Sequence, residues 1–274
     1  MAMALTLPPV VGHRGAALHA PENSLAGFDK AAELGARWVE FDVMLSADGV
    51  PVVHHDLTLE RTAGRCDAVA DLTAEGLAEV DVGGRFAPQY AGQKLPTLAQ
   101  VIERLSRLNL GANVEIKPSP GRETETSRAV LAVLQSRWPR HLPPPLISSF
   151  SQGALAVAAA AAPALPRGWL ADRLPSDWKV RAESCGCVSL HLGWQQLKQS
   201  QAAAVKSAGY ALAVWTVNDP QVARRCRAWG ADAIITDTPA VILASIGEAA
   251  ANPPLSGAAA GTTQDTEART VRMI

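Results

Sequence analysis

The sequence predicts an α/β fold of the (β/α)8 TIM-barrel class, with a small subdomain inserted between strand 2 and the following helix. Three observations carry this prediction. Short apolar runs rich in β-branched residues alternate with helix-like stretches, and that alternation implies a parallel sheet. A chain of 274 residues, 48% of them hydrophobic, suits a single barrel of about 250 residues. The strand-like runs number one more than a barrel needs, and the extra run announces itself as a hairpin excursion.

The first strand is the run 10–11, ending at His13-Arg14-Gly15. A helix follows over 24–34, with Asn23 or Ser24 as its N-cap and Gly35 as its stop. The second strand covers 38–43. Too few residues separate 43 from 50 for a parallel crossover, which takes about a dozen. Asp48-Gly49 is instead a hairpin signal, so 50–55 should run antiparallel to the end of the second strand. The segment 44–96 holds this hairpin and no long periodic helix, and reads as an insertion capping the barrel. Strands at 113–116, 146–148, 167–170, 188–190, 212–217 and 233–236 complete the eight. Helices are expected over 97–108, 123–138, 152–162, 195–208 and 220–229. The barrel domain is bounded at 1–251. The tail 252–274, rich in Ala, Gly and Thr with scattered charge, is expected to be disordered.

A net charge of -1 leaves no electrostatic footprint for nucleic acid or an anionic membrane. Any phosphate recognised here must be met by local charges. Cys66, Cys185, Cys187 and Cys226 read as reduced thiols, since Cys185-Gly186-Cys187 has neither zinc-knuckle spacing nor a second pair downstream. The first residues carry no basic region of a secretory signal, and the apolar run 154–165 is too short to span a bilayer. A cytoplasmic protein without a membrane anchor is expected. The oligomeric state is left open by the sequence.

The chemistry lies in polar residues at the ends of apolar strands. Glu40 and Asp42 are two apart, so both leave the same face of one strand. Two ionised carboxylates so placed repel one another and lose hydration unless a cation lies between them. A hard divalent cation is the better reading than salt bridges to surface arginines. Glu115 and Lys117 repeat the pattern on the next barrel strand, about 4.8 Å away. Glu115 can therefore complete a three-carboxylate site, with Lys117 nearer the rim as a phosphate contact or as a counter-ion to Glu115. All these residues fall toward the C-terminal ends of strands, where barrel active sites lie.

His13 is followed by Arg14, whose guanidinium suits bidentate phosphate contact. His55 ends the excursion strand and can reach over the same mouth; two imidazoles flanking a phosphorus can serve as base and acid. His54 should point the other way and be structural. Asn23 reads equally as a helix cap or as a contact to substrate or to another site residue. Trp215 can line the mouth, and Asp237 can cap a helix or touch ligand. His191 and Trp169 are candidates for loose contacts on the far side. No Gly-rich phosphate loop, Gly-Xaa-Ser-Xaa-Gly elbow or His-Glu-Xaa-Xaa-His is present.

Together these residues resemble the glycerophosphodiester phosphodiesterases, of the bacterial cytosolic type. The resemblance covers roughly 10–239. It rests on His13-Arg14-Gly15, Pro21-Glu22-Asn23-Ser24, Glu40-Phe41-Asp42-Val43, Asp48-Gly49, His55-Asp56, Leu59-Glu60-Arg61-Thr62, Leu95-Pro96-Thr97-Leu98 and Val114-Glu115-Ile116-Lys117, in this order. Gly76 and Gln100 depart from the family's usual residues, both outside the proposed site. The resemblance implies His13 and His55 as the acid/base pair, and Glu40, Asp42 and Glu115 as ligands of Mg²⁺ or Ca²⁺. Arg14 and Lys117 would hold the phosphate, with Asn23 and Trp215 as further substrate contacts. The implied reaction is hydrolysis of a small-molecule glycerophosphodiester to sn-glycerol 3-phosphate and an alcohol. A phospholipase-D-like or phosphoinositide-cleaving relative is an alternative, disfavoured by the lack of a membrane-binding face. A non-catalytic phosphodiester-binding barrel is another, disfavoured by the two histidines.

Overall fold

A computed structural model describes residues 5–247. The expected tail at 252–274 and the last residues of the expected barrel domain lie outside them. In chain order the elements are β1 (Val10–His13), α1 (Leu25–Glu33), β2 (Trp38–Leu45), β3 (Pro51–Val53), α2 (Glu60–Ala63), α3 (Ala74–Ala78), α4 (Leu98–Leu108), β4 (Gly111–Ile116), α5 (Glu123–Arg137) and β5 (Leu146–Ser149). There follow α6 (Gln152–Ala161), β6 (Arg167–Ala171), α7 (Trp178–Ser184), β7 (Ser189–Gly193), α8 (Gln199–Ser207), β8 (Ala211–Trp215), α9 (Pro220–Ala228), β9 (Ala233–Thr236) and α10 (Pro239–Ser245).

The parallel strands run β1-β9-β8-β7-β6-β5-β4-β2, and β2 pairs with β1 to close the eight-stranded barrel. β3 is the excursion: it lies antiparallel to the last residues of β2, with Val43 opposite Val53 and Leu45 opposite Pro51. β2 is therefore longer than its neighbours because its end leaves the barrel wall to found the insertion. The insertion has its own core of Met44, Val52, Leu59, Val69, Leu77, Val80, Val82 and Leu95. It returns beside its point of departure, with Val53 N–H donating to the Pro96 carbonyl and a bridge between Val52 and Thr97.

Apolar residues fill two layers between strands and helices. A smaller set, including Val11, Trp38, Leu146, Ala213, Ala233 and Ile235, fills the barrel interior. Trp38 plugs that interior at the N-terminal end, where Gly111 faces it. A Cβ at 111 would lie 2.3 Å from Trp38 Nε1, so only glycine fits under the indole.

Several elements differ from the sequence reading. α7 and α10 were not expected, because helices of seven residues show too little periodicity to register. α8 begins at Gln199 rather than at 195, as the residues after β7 form a turn in which Leu197 N–H bonds the Trp194 carbonyl. β7 runs on to Gly193, which places His191 inside the barrel wall. The two departures from the resembling family are structural: Gly76 lies in α3, and Gln100 completes the Thr97 capping box of α4.

Candidate active site

At the C-terminal mouth of the barrel His13, Arg14, Glu40, Asp42, His55, Glu115, Lys117 and Trp215 line one cavity of about 210 Å³, with Phe150, Leu170, Thr216 and Ile235 among its walls. Register explains the convergence. His13 is the Cα partner of Glu40 across β1 and β2, and Asp42 is the partner of Glu115 across β2 and β4. Paired residues in a sheet send their side chains to the same face. All three carboxylates therefore enter the barrel, each with an oxygen within 4.8 Å of the others.

These carboxylates are buried, at 4%, 1% and 6% exposure for Glu40, Asp42 and Glu115. Burial, then the charges of Asp42 and Glu115, raises the pKa of Glu40 well above the ordinary carboxylate range. Burial, then Asp42, pushes Glu115 up to about 8, against the pull of Lys117 and Arg14. Burial works to raise Asp42 too, yet Arg14, Lys117, His55 and a hydrogen bond from Asn23 hold it below the ordinary value. The protein's own cations gather chiefly on one carboxylate of the three: Arg14 Nε lies 3.4 Å and Lys117 Nζ 3.5 Å from Asp42. Lys117 stands 3.7 Å from Glu115. An all-oxygen donor set with surplus negative charge fits a hard divalent cation, whose ligand distances are about 2.0–2.6 Å.

Each candidate acid/base histidine is held by a carboxylate. His13 Nδ1 lies 2.7 Å from Asp237 Oδ1, and His55 Nδ1 lies 2.6 Å from Asp56 Oδ1. A carboxylate accepts only, so Nδ1 carries the proton in both rings and Nε2 is the free nitrogen. Asp237 is in turn bonded by Asn218, whose Nδ2 donates to Asp237 Oδ2 at 2.6 Å. Arg61 of α2 donates to Asp56 at 2.7 Å and forks onto both oxygens of Glu22, which also accepts from Arg14. Burial opposes the ionised form of Asp56, but Arg61 and His55 bring it down to about 2. Burial, with Arg14 and Lys117 adding to it, lowers the pKa of His55 despite the nearby Asp42. A chain of charge-assisted bonds thus ties the insertion to the loop after β1.

That loop is shaped by two residues in the left-handed region, Arg14 at φ 48° and Asn23 at φ 54°. Non-glycine residues there cost about 1–2 kcal/mol each and gather at functional sites. The turn aims the Arg14 backbone N–H at Glu40 Oε2, 3.2 Å away. Asn23 N–H bonds the Arg14 carbonyl, and its side-chain Nδ2 donates to Asp42 at 2.9 Å.

Asn23 corrects the expectation of a substrate or phosphate contact: it is buried, does not line the cavity, and holds a carboxylate instead. The alternative reading, a contact to another site residue, is the one its bond to Asp42 meets, while the helix cap is Ser24, which accepts from Gly27 N–H. His54 is structural, its Nε2 bonded to the Thr58 carbonyl. His191 is no pocket residue; it is buried in the barrel against Ser189, and burial alone pushes its pKa down to about 4. Trp169 lines a neighbouring cavity. The roles of Asp56, Asp237, Glu22 and Arg61 escaped sequence reasoning. For Asp237 a signal existed: barrel closure sets Gly12 beside Thr236, so His13 and Asp237 come next.

Among the described residues no helix is long and apolar enough to cross a membrane. Residues 13–241 match the Glycerophosphoryl diester phosphodiesterase family. A glycerophosphodiester phosphodiesterase of Caldanaerobacter subterraneus is 33% identical over 85% of this chain and 96% of its own length. One from Bacillus subtilis is 29% identical over 84% of this chain and 83% of its own. Among solved structures, an Oleispira antarctica phosphodiesterase in complex with the product sn-glycerol-3-phosphate superposes with a TM-score of 0.86 at 38% identity, covering 88% of this chain and 97% of that one. With the closed barrel and the converging strand-end residues already on view, this chain belongs to the glycerophosphoryl diester phosphodiesterase family.

Proposed function

We propose that this phosphodiesterase hydrolyses glycerophosphodiesters to sn-glycerol 3-phosphate and an alcohol by acid/base catalysis between His13 and His55, in the cytoplasm. The observation that carries the reading is the matched pair of carboxylate-held imidazoles on the walls of one cavity with three carboxylates and two cations. Glu40, Asp42 and Glu115 would hold Mg²⁺ or Ca²⁺, which supplies charge neutralisation at the phosphodiester. Arg14 and Lys117 line the cavity and bind the phosphate oxygens, and Trp215 forms an apolar wall. One histidine removes a proton at Nε2 from the attacking hydroxyl. The other delivers a proton from Nε2 to the departing alkoxide. Asp237 and Asp56 fix the tautomers that this exchange needs and stabilise whichever ring is protonated.

The family implies a small-molecule substrate, and a net charge of -1 offers nucleic acid no general attraction. The four cysteines carry no disulfide, as a reducing compartment requires. The test is release of sn-glycerol 3-phosphate from glycerophosphoethanolamine, with Mg²⁺ or Ca²⁺ and with chelator. Release should need the cation, and His13→Ala or His55→Ala should cut turnover by about 10²–10⁴ with the fold intact. Full activity in His55→Ala would overturn the paired-histidine reading; no glycerol 3-phosphate from any glycerophosphodiester would overturn the function.

A further inference from the structure

The catalytic cavity opens beside a second and larger one. Phe150 and Leu170 belong to the walls of both, so the two spaces adjoin at the barrel mouth. The outer cavity has a volume of about 560 Å³ and is lined also by Trp169, Asp172, Arg173 and Gln196. Phe150 stands between the spaces, 43% exposed, its ring edge-on to Trp215 with centroids 5.7 Å apart. The cluster of three carboxylates, Arg14 and Lys117 all lie on the inner side. A phosphodiester centred there has its second ester arm available to the outer cavity.

The polar groups of that outer cavity carry one charge of each sign. Asp172 and Arg173 are exposed, and neither side chain has a hydrogen-bond or ion-pair partner among the described residues; the Gln196 amide is likewise unpartnered. Most other charges around the mouth are paired: Arg14 with Glu22, Arg61 with Glu22 and Asp56, and His13 with Asp237. The loop bearing Asp172 and Arg173 is also held in place. It leaves β6 and presses on the end of β7, where a Cβ at Gly193 would lie 2.7 Å from the Asp172 carbonyl oxygen. A fixed loop that gives one cavity both a carboxylate and a guanidinium complements a ligand with an ammonium and a carboxylate on one carbon.

We propose that the outer cavity is the leaving-alcohol subsite and that it selects a zwitterionic α-amino-acid alcohol, as in glycerophosphoserine. The proposal rests on the phosphodiesterase reading above. Asp172 accepts from the ammonium, Arg173 clamps the carboxylate, and Phe150 and Trp169 cover the short apolar stem. The chemistry is ordinary hydrolysis. Oxygen from the attacking hydroxyl bonds phosphorus, the bond from phosphorus to the serine oxygen breaks, and that oxygen takes a proton to leave as free serine. No oxidant or further reactant is needed.

The experiment measures kcat/KM for glycerophosphoserine, glycerophosphoethanolamine, glycerophosphocholine and glycerophosphoglycerol with the full chain and added divalent cation. Glycerophosphoserine should lead, by about tenfold over glycerophosphocholine, the scale of one charge-assisted contact at a solvated site. Arg173→Ala and Arg173→Gln should each cut glycerophosphoserine by about tenfold and leave the other three within about twofold. Asp172→Asn should lower glycerophosphoserine and glycerophosphoethanolamine together while sparing glycerophosphoglycerol. Preference for glycerophosphocholine would overturn the proposal in favour of an aromatic site for a quaternary ammonium. So would Arg173 variants that change all four substrates alike, or none. Those results leave hydrolysis itself intact, whereas a wild-type chain inactive on all four would overturn the phosphodiesterase reading instead.

Discussion

Asp237→Asn isolates the contribution of the His13 tautomer. Asn218 decides how the new amide must lie. Asn218 Oδ1 accepts from Thr236 Oγ1 and from the Asp237 backbone N–H, each at 2.9 Å, so its Nδ2 is the edge facing the side chain at 237. That donor keeps the oxygen of the new amide toward Asn218, and the amide nitrogen turns to His13. His13 Nδ1 must then accept, and its proton moves to Nε2, the nitrogen that serves the reaction. The variant also replaces a charge-assisted bond of 2.7 Å, between groups each 17% exposed, by a neutral one. Losing such a bond costs about 1.5–3 kcal/mol, and at 1.36 kcal/mol per decade this is about 10- to 150-fold in turnover. The assay is steady-state release of sn-glycerol 3-phosphate from glycerophosphoethanolamine. We expect kcat to fall by about that factor with KM changed by less than about threefold, since binding does not depend on the tautomer. Melting should move little, because Asn218 keeps its partners. Turnover within about threefold of wild type would refute the claim that Asp237 sets the working state of His13.

Three further outcomes follow from the geometry. Glu115, raised to about 8, binds a proton in the fold over a pH range in which the unfolded chain, with a carboxyl pKa of about 4.3, does not. Stability in chelator should therefore fall as pH rises from about 6.5 to 8, above the range in which the buried histidines take up protons on unfolding; Mg²⁺ or Ca²⁺ should flatten that slope in calorimetry, Glu115→Gln should lessen it while the raised Glu40 keeps the remainder, and a cation without effect on melting at pH 8 would count against the metal site. Gly111→Ala drives a methyl into the Trp38 indole and should cost about 1–3 kcal/mol, a melting shift of several degrees that Trp38→Leu in the same chain largely relieves. Arg61→Ala removes the cation that Glu22 and Asp56 share and should lower kcat with little change in KM; Arg61→Lys should not restore it, because one ammonium cannot span two carboxylates. Equal losses in kcat/KM through KM alone would show that Arg61 serves binding rather than the orientation of His55.

Much of the barrel and the cluster of carboxylates was legible because both rest on local periodicity. Glu40 and Asp42 declare a shared face by spacing alone, and Asp48-Gly49 declares the hairpin. What stayed hidden depends on contacts between distant segments. Asp237 meets His13 only when the last strand closes on the first. Arg61 meets Glu22 because the insertion folds back over the loop after β1. Asp56 was hidden for the opposite reason, since neighbours in sequence seldom face each other, yet here the chain turns after β3 and brings Asp56 onto its own neighbour. Arg167, a charge within an apolar strand, gives no hint of its fate: burial among the carbonyls of Leu165, Cys185 and Gly186, with no carboxylate partner among the described residues.

The stitch between β2 and the hairpin makes the identity of the reactive histidine a matter of phase. His54 N–H donates to the Asp42 carbonyl at 3.1 Å, so the excursion strand is indexed, residue by residue, to the strand that carries two of the carboxylates. Along an extended strand successive side chains alternate faces, and a slip by one residue inverts every one of them. Lengthening the Asp48-Gly49 turn by a single residue would leave two histidines in the chain but move each by one position, bringing His54 to the place of His55 and carrying His55 past it. The same lengthening at the open turn around Gly92, where a Cβ would meet nothing within 4 Å, lies downstream of the stitch and leaves its phase untouched. The turn at Gly92 can thus change length without moving the histidines, while the first turn of the insertion must keep count.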